Sequence, residues 1–221
     1  MQAVIFDMDG VIVDSERQWQ LAEGPFFSGL VSGWTPERHH EIVGMGVVDL
    51  YHWLVKEYRL KESEESFLGR CHELAQDIYG RRAARSSGLE ELIANLKKEG
   101  IKIGLASSSP RNWIDLVLAR YKMAEDFAVV ASGDDAPGKT KPAPDLYLLA
   151  ATGLGTAPEN CVAIEDSVLG VTAAKRAGMR CVGFRNGHND EQDLSQADAE
   201  IRGFEKLDAR SLGKILSVRF S

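Results

Sequence analysis

Four short polar segments of this chain hold side chains that could act together in one reaction. In chain order they are Asp7 with Asp9, Ser107 with Ser108, Lys141, and Glu165 with Asp166. Carboxylates gathered in one cleft repel each other unless a cation lies among them, and hard oxygen ligands suit Mg²⁺. A serine hydroxyl and a lysine ammonium beside them would bind an anion such as a phosphoryl group. The residue types therefore favour a site for a divalent cation and a phosphate.

The two aspartates of the first segment can divide the work of phosphoryl transfer. One carboxylate can attack phosphorus and form an aspartyl-phosphate, while a second gives a proton to the leaving oxygen and later takes one from water. The metal needs the carboxylate of Asp7. Asp9 must keep its side chain off the metal if it is to titrate, although its backbone carbonyl can still coordinate.

Short apolar runs alternate with helical patterns over most of the chain. The runs that predict buried strands are residues 3–6, 101–106, 128–131, 161–164 and 180–184. This rhythm predicts an α/β fold, a Rossmann-like parallel sheet with helices on both faces. Because the carboxyl ends of parallel strands meet at one edge of a sheet, we expect the four polar segments to converge there.

Residues 15–85 interrupt this rhythm. Their patterns are helical, without a convincing strand, and helix starts are indicated near Ser15, Pro36 and Ser63. We predict a helical cap, residues 15–85, inserted into an α/β core made of residues 1–14 and 86–221.

Two polar residues near these boundaries are predicted to cap helices. Asp14 precedes the helix that starts near Ser15, and Ser109 precedes a helix that starts at Pro110. The tail from Asn186 is polar and then weakly helical, and no strand is predicted in it.

The composition limits the classes of protein that fit. The chain has 221 residues, 44% of them hydrophobic, which is ordinary for a folded globular protein, and its formal net charge is −7. The acidic balance argues against nucleic-acid binding, because phosphate backbones attract clustered Lys and Arg. No apolar run has the length of a transmembrane helix, so we expect no membrane partner. The three cysteines match no zinc pattern, and Cys161 and Cys181, in apolar strand-like runs, are expected to be buried thiols. We expect a reducing cytoplasm and a monomer.

The four polar segments resemble the four motifs of the haloacid dehalogenase superfamily, in the group that carries a helical cap after the first motif. The matching stretches are Asp7-Met8-Asp9-Gly10-Val11-Ile12-Val13-Asp14-Ser15, Ala106-Ser107-Ser108-Ser109, Lys141-Pro142-Ala143-Pro144-Asp145, and Ile164-Glu165-Asp166-Ser167 followed by Gly170. They follow the family's order and spacing. The dehalogenase and phosphonate-cleaving branches lack an aspartate at the position of Asp9, so phosphate esters are the expected substrates.

The resemblance implies roles for these residues. Asp7 would be the nucleophile and Asp9 the general acid/base. The residues that would bind the phosphoryl group are Ser107, Ser108 and Lys141. The ligands of Mg²⁺ would be Asp7, Asp9 through its backbone oxygen, Glu165 and Asp166. Of the last two, Asp166 is preferred as the residue that binds the metal directly.

The cap should distinguish the phosphatases of this group from its β-phosphoglucomutase-like members. A mutase must hold a second phosphate and carries an arginine after a glycine-containing cap loop, whereas residues 44–49 contain neither Arg nor Lys. The mutase also has a histidine early in the first cap helix, where this chain has Trp19. We therefore expect hydrolysis of a small phosphorylated metabolite, a sugar or polyol phosphate first, with the phosphohexomutase as the alternative.

Substrate contacts within the cap are expected from Glu16, Gln20, Gly44 and Gly46, by position along the chain. A non-catalytic signalling domain that accepts a phosphate on aspartate would share the acidic cluster, but a long insertion after the first strand fits it poorly. A domain that only binds a partner would not need Asp7, Asp9, Lys141 and Asp166 all intact.

Overall fold

A six-stranded parallel sheet forms the centre of the protein. The computed structural model describes residues 1–205 and 207–217, with side chains except at positions 23, 36, 39, 40 and 215–217. The strands are β1 (Ala3–Phe6), β2 (Val13–Asp14), β3 (Ala84–Arg85), β4 (Lys102–Ala106), β5 (Val129–Ala131), β6 (Cys161–Glu165), β7 (Arg180–Phe184) and β8 (Ala199–Ile201). The order in the large sheet is β5-β4-β1-β6-β7-β8, with every neighbouring pair parallel, and β2 pairs with β3 in a separate antiparallel ladder.

Helices alternate with the strands of the large sheet and also fill the inserted segment. They are α1 (Glu16–Ser28), α2 (Val47–Tyr58), α3 (Glu64–Asp77), α4 (Leu89–Lys98), α5 (Arg111–Tyr121), α6 (Asp145–Gly153), α7 (Val168–Arg176) and α8 (Ala209–Ser217). A 3₁₀ helix covers Pro36–Glu41, and a π-helical turn covers Ile78–Arg82 directly after α3. The predicted fold class is therefore confirmed. Over the described residues, no helix combines the length and apolar character needed to cross a bilayer.

Two apolar layers cover the two faces of the sheet. Because side chains alternate along a strand, Val4 and Phe6 of β1 point into one cluster and Ala3 and Ile5 into the other. Helices α4, α5 and α8 pack in the first cluster, and α6 and α7 in the second. The first cluster continues into the inserted segment, where Phe67 of α3 is fully buried. The fully buried β1 explains why its sequence is apolar at every position.

The chain leaves the core before the inserted helices α1, α2 and α3 and returns to it after them at the same place. Val13 pairs with Arg85 and Asp14 with Ala84 in the β2–β3 ladder. Ser86 extends this junction, because its N–H donates to the carbonyl of Ile12 at 3.0 Å. The two chain segments that join cap and core therefore lie side by side. The exact domain limits at 14/15 and 85/86 stay a prediction.

The structure differs from the sequence predictions at short elements. Strand β8 lies at the edge of the sheet in the tail where no strand is expected, and its three residues are too few to show a period. The predicted caps Asp14 and Ser109 are wrong. Ser15 and Pro110 occupy the N-cap positions of α1 and α5, and neither helix has a side-chain cap bond. The predicted helix start near Ser63 is confirmed, because α3 begins at Glu64 and the Ser63 side chain accepts the N–H of Ser66.

Candidate active site

The carboxyl ends of adjacent strands bring the four polar segments together. Asp7 follows β1, Ser107 follows β4, and Glu165 ends β6, and these three strands are neighbours in the sheet. Lys141 reaches them from the loop before α6. Its Nζ lies 2.5 Å from Asp7 Oδ1 and 2.6 Å from Glu165 Oε1. All three side chains of this contact are buried, so the predicted convergence is confirmed by geometry.

Lys141 is charged in this position. Burial alone would lower the pKa of its ammonium, but the carboxylates of Asp7 and Glu165 outweigh that effect and raise the pKa above its ordinary value. Lys139, two residues earlier in the same loop, is instead exposed, with its Nζ 3.6 Å from Asp145. The local sequence does not distinguish the two lysines, whereas the structure places Lys141, and not Lys139, against Asp7 and Glu165.

Three carboxylates at the strand ends form a compact acidic cluster. One oxygen each of Asp7, Glu165 and Asp166 lies within 4.8 Å of the other two. Burial first, and the neighbouring carboxylates second, raise the pKa of Asp7 and of Asp166 well above the ordinary value. A divalent cation among these oxygens would reverse that effect, and an all-oxygen donor set suits Mg²⁺. The residues present therefore fit a hard divalent metal.

Two glycines and an asparagine fix this cluster. A Cβ on Gly10, which has a φ of +70°, would lie 1.8 Å from Asp166 Oδ2, and a Cβ on Gly170 would lie 1.9 Å from Glu165 Oε2. The Asn186 amide donates to the same Asp166 oxygen at 2.9 Å. The backbone thus approaches both acidic side chains too closely for any other residue at these glycines.

Glu165 is also held by a tyrosine. The Tyr147 hydroxyl donates to Glu165 Oε1 at 2.5 Å, on the oxygen that Lys141 contacts. The other oxygen, Oε2, accepts a long bond of 3.4 Å from the hydroxyl of Ser167. Lys141 and Tyr147 thus share one oxygen of Glu165, and Ser167 contacts the other only at long range. Tyr147 and Asn186 are not predicted from the sequence, because neither lies in a motif and both reach the site through tertiary packing.

Three hydroxyl groups hold the carboxylate of Asp9. Ser15 and Tyr79 both donate to Oδ1 at 2.6 Å, and Ser109 donates to Oδ2 at 2.8 Å. Ser15 and Ser109 stand at the starts of α1 and α5, which explains why they resemble ordinary helix-cap residues in sequence. The carboxylates of Asp7 and Asp9 thus have different environments, a lysine for the first and hydroxyls for the second.

The serine loop after β4 faces the same cavity. Ser107 is 1% exposed, its N–H donates to the Ala131 carbonyl, and its hydroxyl oxygen accepts the N–H of Ser109 at 3.1 Å. The hydroxyl of Ser108 is buried without a hydrogen-bond partner among the described residues. An unpaired buried hydroxyl at a cavity wall is suited to binding a ligand oxygen.

A pocket runs from this polar floor into the inserted helices. Asp7, Asp9, Lys141 and all three serines of the loop line its floor, and Glu16 lines its side. The upper wall is mainly apolar and aromatic, and its members include Trp19, Phe26, Val43, Met45, Val47, Leu50, Leu74 and Trp113. Trp19 stacks on Trp113 with ring centroids 5.5 Å apart. The floor is therefore suited to an anion, and the wall to the body of a small organic molecule.

The cap residues expected to contact substrate occupy different places. Glu16 and Gly44 line the pocket. Gln20 is exposed and is not among the described lining residues, so its predicted contact has no support from this geometry. Gly46 instead packs on the core, where an added Cβ would lie 3.2 Å from the carbonyl oxygen of Ser108. The hydroxyl of Thr140, the residue before Lys141, donates to Asp49. This bond holds the cap loop that contains Gly44 and Gly46, hereafter the cap loop, close to Lys141.

The fold and site together define a class of hydrolase. A family model of haloacid dehalogenase-like hydrolases matches residues 1–178, and the chain belongs to this family. Hexitol phosphatase B of Escherichia coli is 34% identical over 218 residues, which cover 95% of this chain and 96% of that protein. A phosphorylated carbohydrates phosphatase of Thermotoga maritima is 34% identical over 200 residues, 90% of this chain and 92% of its own. The predicted family and enzyme class are therefore confirmed.

Mutases are also among the similar proteins. The β-phosphoglucomutase of Bacillus subtilis is 32% identical over 210 residues, which cover 91% of this chain and 89% of that protein.

Among solved structures, that of CbbY from Rhodobacter sphaeroides in complex with phosphate superimposes with a TM-score of 0.82 at 25% identity, over 96% of this chain and 99% of that one. Overall similarity therefore does not distinguish a phosphatase from a mutase, and the residues of the pocket must do so.

Proposed function

We propose that this protein is a Mg²⁺-dependent phosphatase that hydrolyses a small phosphorylated metabolite, a sugar or polyol phosphate, through an aspartyl-phosphate on Asp7. The observation that carries the proposal is the buried contact of Lys141 with Asp7, beside an acidic cluster and a serine loop. A nucleophilic carboxylate, a fixed cation and hydroxyl donors within one pocket are the groups that phosphoryl transfer requires.

The chain's own residues account for both half-reactions. Lys141, Ser107 and Ser108 bind the phosphoryl oxygens. A carboxylate oxygen of Asp7 forms a bond to phosphorus as the bond from phosphorus to the alcohol oxygen breaks, and Asp9 gives its proton to that oxygen. In the second half, a water attacks phosphorus and gives a proton to Asp9, and the bond to Asp7 breaks.

Mg²⁺ would be held by Asp7, Glu165 and Asp166, with the backbone carbonyl of Asp9. When bound, it supplies positive charge that offsets the acidic cluster and the charge on the phosphoryl oxygens. Lys141 contacts Asp7 and Glu165 directly and would remain a fixed protein cation beside the metal ligands.

The pocket favours hydrolysis over the mutase reaction. Among the described residues that line it, Lys141 is the one lysine or arginine, and it already contacts Asp7 and Glu165. A mutase needs a second phosphate site in the cap, whereas the described cap residues that line this pocket are mainly apolar and aromatic, with no lysine or arginine among them and with the acidic Glu16. The similar phosphatases that act on hexitols and phosphorylated carbohydrates support a sugar or polyol phosphate as substrate.

The inserted helices would act as a gate. The Thr140–Asp49 bond and the packing of Gly46 on Ser108 support this role, because they hold the start of α2 beside the residues proposed to bind the phosphoryl group. Closure would exclude bulk water during phosphoryl transfer, and opening would release the product. The three free, buried cysteines support the predicted location in a reducing cytoplasm.

The direct test is phosphate release from a panel of sugar, polyol and other small phosphate monoesters with Mg²⁺, and with EDTA as control. The Asp7→Asn variant is the matched protein control and should release no phosphate above background. Phosphate release by Asp7→Asn at the wild-type rate would refute the nucleophile assignment. Addition of β-glucose 1-phosphate and its bisphosphate separates the alternative, because isomerisation without phosphate release would identify a mutase.

A further inference from the structure

The carboxylate of Asp9 is held from the inserted segment as well as from the core. Tyr79 belongs to the π-helical turn after α3, and its hydroxyl donates to Asp9 Oδ1 at 2.6 Å. The indole N–H of Trp19, on α1, donates in turn to the Tyr79 oxygen at 3.0 Å. A chain of two hydrogen bonds therefore connects two inserted elements to Asp9.

Tyr79 itself has little freedom to move. Its side chain is 1% exposed, and its ring packs edge-on against Trp19 with centroids 6.1 Å apart. Arg120, on α5 of the core, donates to the Tyr79 backbone carbonyl at 3.0 Å. The hydroxyl end of Tyr79 is thus held by Asp9 and Trp19, and its backbone end by Arg120.

The hydrogen bonds to Asp9 distinguish its two oxygens. A carboxylate oxygen has two lone-pair sites. Ser15 and Tyr79 use both sites of Oδ1, whereas Ser109 uses one site of Oδ2. Among the described contacts, Oδ2 is therefore the oxygen with capacity to carry the transferred proton, and Asp9 lines the pocket.

We propose that Tyr79 is a positioning residue that orients Asp9, so that Oδ2 faces the leaving oxygen when the inserted helices lie over the core. Trp19 supports Tyr79 in this role. The inference rests on the proposed function, because it concerns the proton that Asp9 gives to the leaving alcohol. In that step the proton moves from Asp9 Oδ2 to the alcohol oxygen as the phosphorus–oxygen bond breaks and the bond from phosphorus to Asp7 forms.

The test compares two leaving groups in the Tyr79→Phe variant, which keeps the ring and removes the hydroxyl. One substrate is the alkyl phosphate that wild type hydrolyses fastest, whose alcohol must be protonated as it leaves. The other is p-nitrophenyl phosphate, whose phenolate leaves without a proton. The value of kcat/KM reports formation of the phosphoenzyme, and we expect it to fall about tenfold or more for the alkyl ester and less than about threefold for the aryl ester.

Tyr121→Phe is the matched control. It removes a hydroxyl that donates to the Ala83 carbonyl at 2.8 Å, close to the same junction but away from Asp9. Its kcat/KM ratio between the two esters should equal the wild-type ratio. Trp19→Phe should change the ratio in the direction of Tyr79→Phe, because it removes the N–H that orients the tyrosine oxygen.

Each outcome separates the inference from the function it rests on. An equal fall for both esters in Tyr79→Phe, or no fall for either, would refute the positioning role while wild type remains a phosphatase. A wild-type protein that hydrolyses neither ester with Mg²⁺ would instead refute the proposed function, and the inference with it.

Discussion

Lys141 shows how strongly a single buried residue can be constrained at this site. Its ammonium lies between Asp7 and Glu165, and all three groups are almost completely removed from solvent. Loss of one partner from a buried charge cluster leaves the others uncompensated, which costs far more than loss of a surface pair. The same lysine is the fixed cation that the proposed reaction needs, so stability and activity depend on it together.

Replacement of Lys141 by methionine should therefore abolish phosphatase activity and destabilise the protein by about 3–5 kcal/mol without metal. Urea unfolding in EDTA measures this free energy. Lys139→Met is the control in the same loop, because Lys139 is exposed and should change stability by less than about 1 kcal/mol. Equal effects of the two substitutions would contradict the assignment of Lys141.

Asp9→Asn separates proton transfer from metal binding. The amide cannot give or take the proton, so turnover should fall by about 10²–10⁴-fold. The backbone carbonyl is unchanged, and Mg²⁺ should still raise the melting temperature as it does for wild type. Full activity would remove the acid/base role, and a lost thermal shift would show that the side chain is needed for the metal.

The strands of the sheet and the ends of the helices set the positions of these residues. Some of these elements can be predicted from the sequence, and some of the contacts they bring about cannot. Continuous apolar runs such as those of β1 and β6 predict strands correctly, because burial on both faces of the sheet leaves a clear pattern. Ser109 was misassigned as a cap because a serine before a helix looks the same whether it bonds the backbone or Asp9. Tyr79 gave no local signal, since it reaches the site from 70 residues away.

Gly170 provides a test of how an element holds the site. Gly170→Ala would place a Cβ 1.9 Å from Glu165 Oε2 and should displace this carboxylate, lowering both activity and Mg²⁺ affinity. Gly69 is the control, because it also lies within a helix but has nothing within 4 Å of an added Cβ. Gly69→Ala should keep full activity and gain about 0.5–1 kcal/mol of stability. Activity assays and urea unfolding of both variants measure the difference, and an active Gly170→Ala would contradict the predicted clash.

At the scale of the whole molecule, the acidic cluster couples stability to metal and pH. Burial and mutual repulsion raise the pKa of Asp7 and Asp166 above 3.8, the ordinary value. A carboxyl whose pKa is raised on folding favours the folded state while it is protonated. Without metal, this contribution to stability is therefore present at low pH and is lost as pH rises through the raised values.

Mg²⁺ should remove that loss of stability, because under the proposed function it would bind the ionised cluster. At about 100 times its dissociation constant it should add about 2.7 kcal/mol, which is about 5–10 °C in melting temperature for a chain of this size. The shift should grow from pH 5 to pH 7.5 and shrink in Asp166→Asn. Thermal unfolding with Mg²⁺ and with EDTA measures it, and a shift that is larger at pH 5 would contradict the metal assignment.

The proposed reaction depends above all on a covalent intermediate in which the phosphoryl group is bonded to Asp7. The most direct measurement is an acid quench within a single turnover of a good substrate with Mg²⁺, followed by mass spectrometry of the peptide that contains residues 7–9. We predict one phosphoryl group on Asp7 in wild type, a larger labelled fraction in a variant with slowed hydrolysis of the intermediate, and no label in Asp7→Asn. Rapid phosphate release with no label at Asp7 at any time point, or a label on another residue, would contradict it.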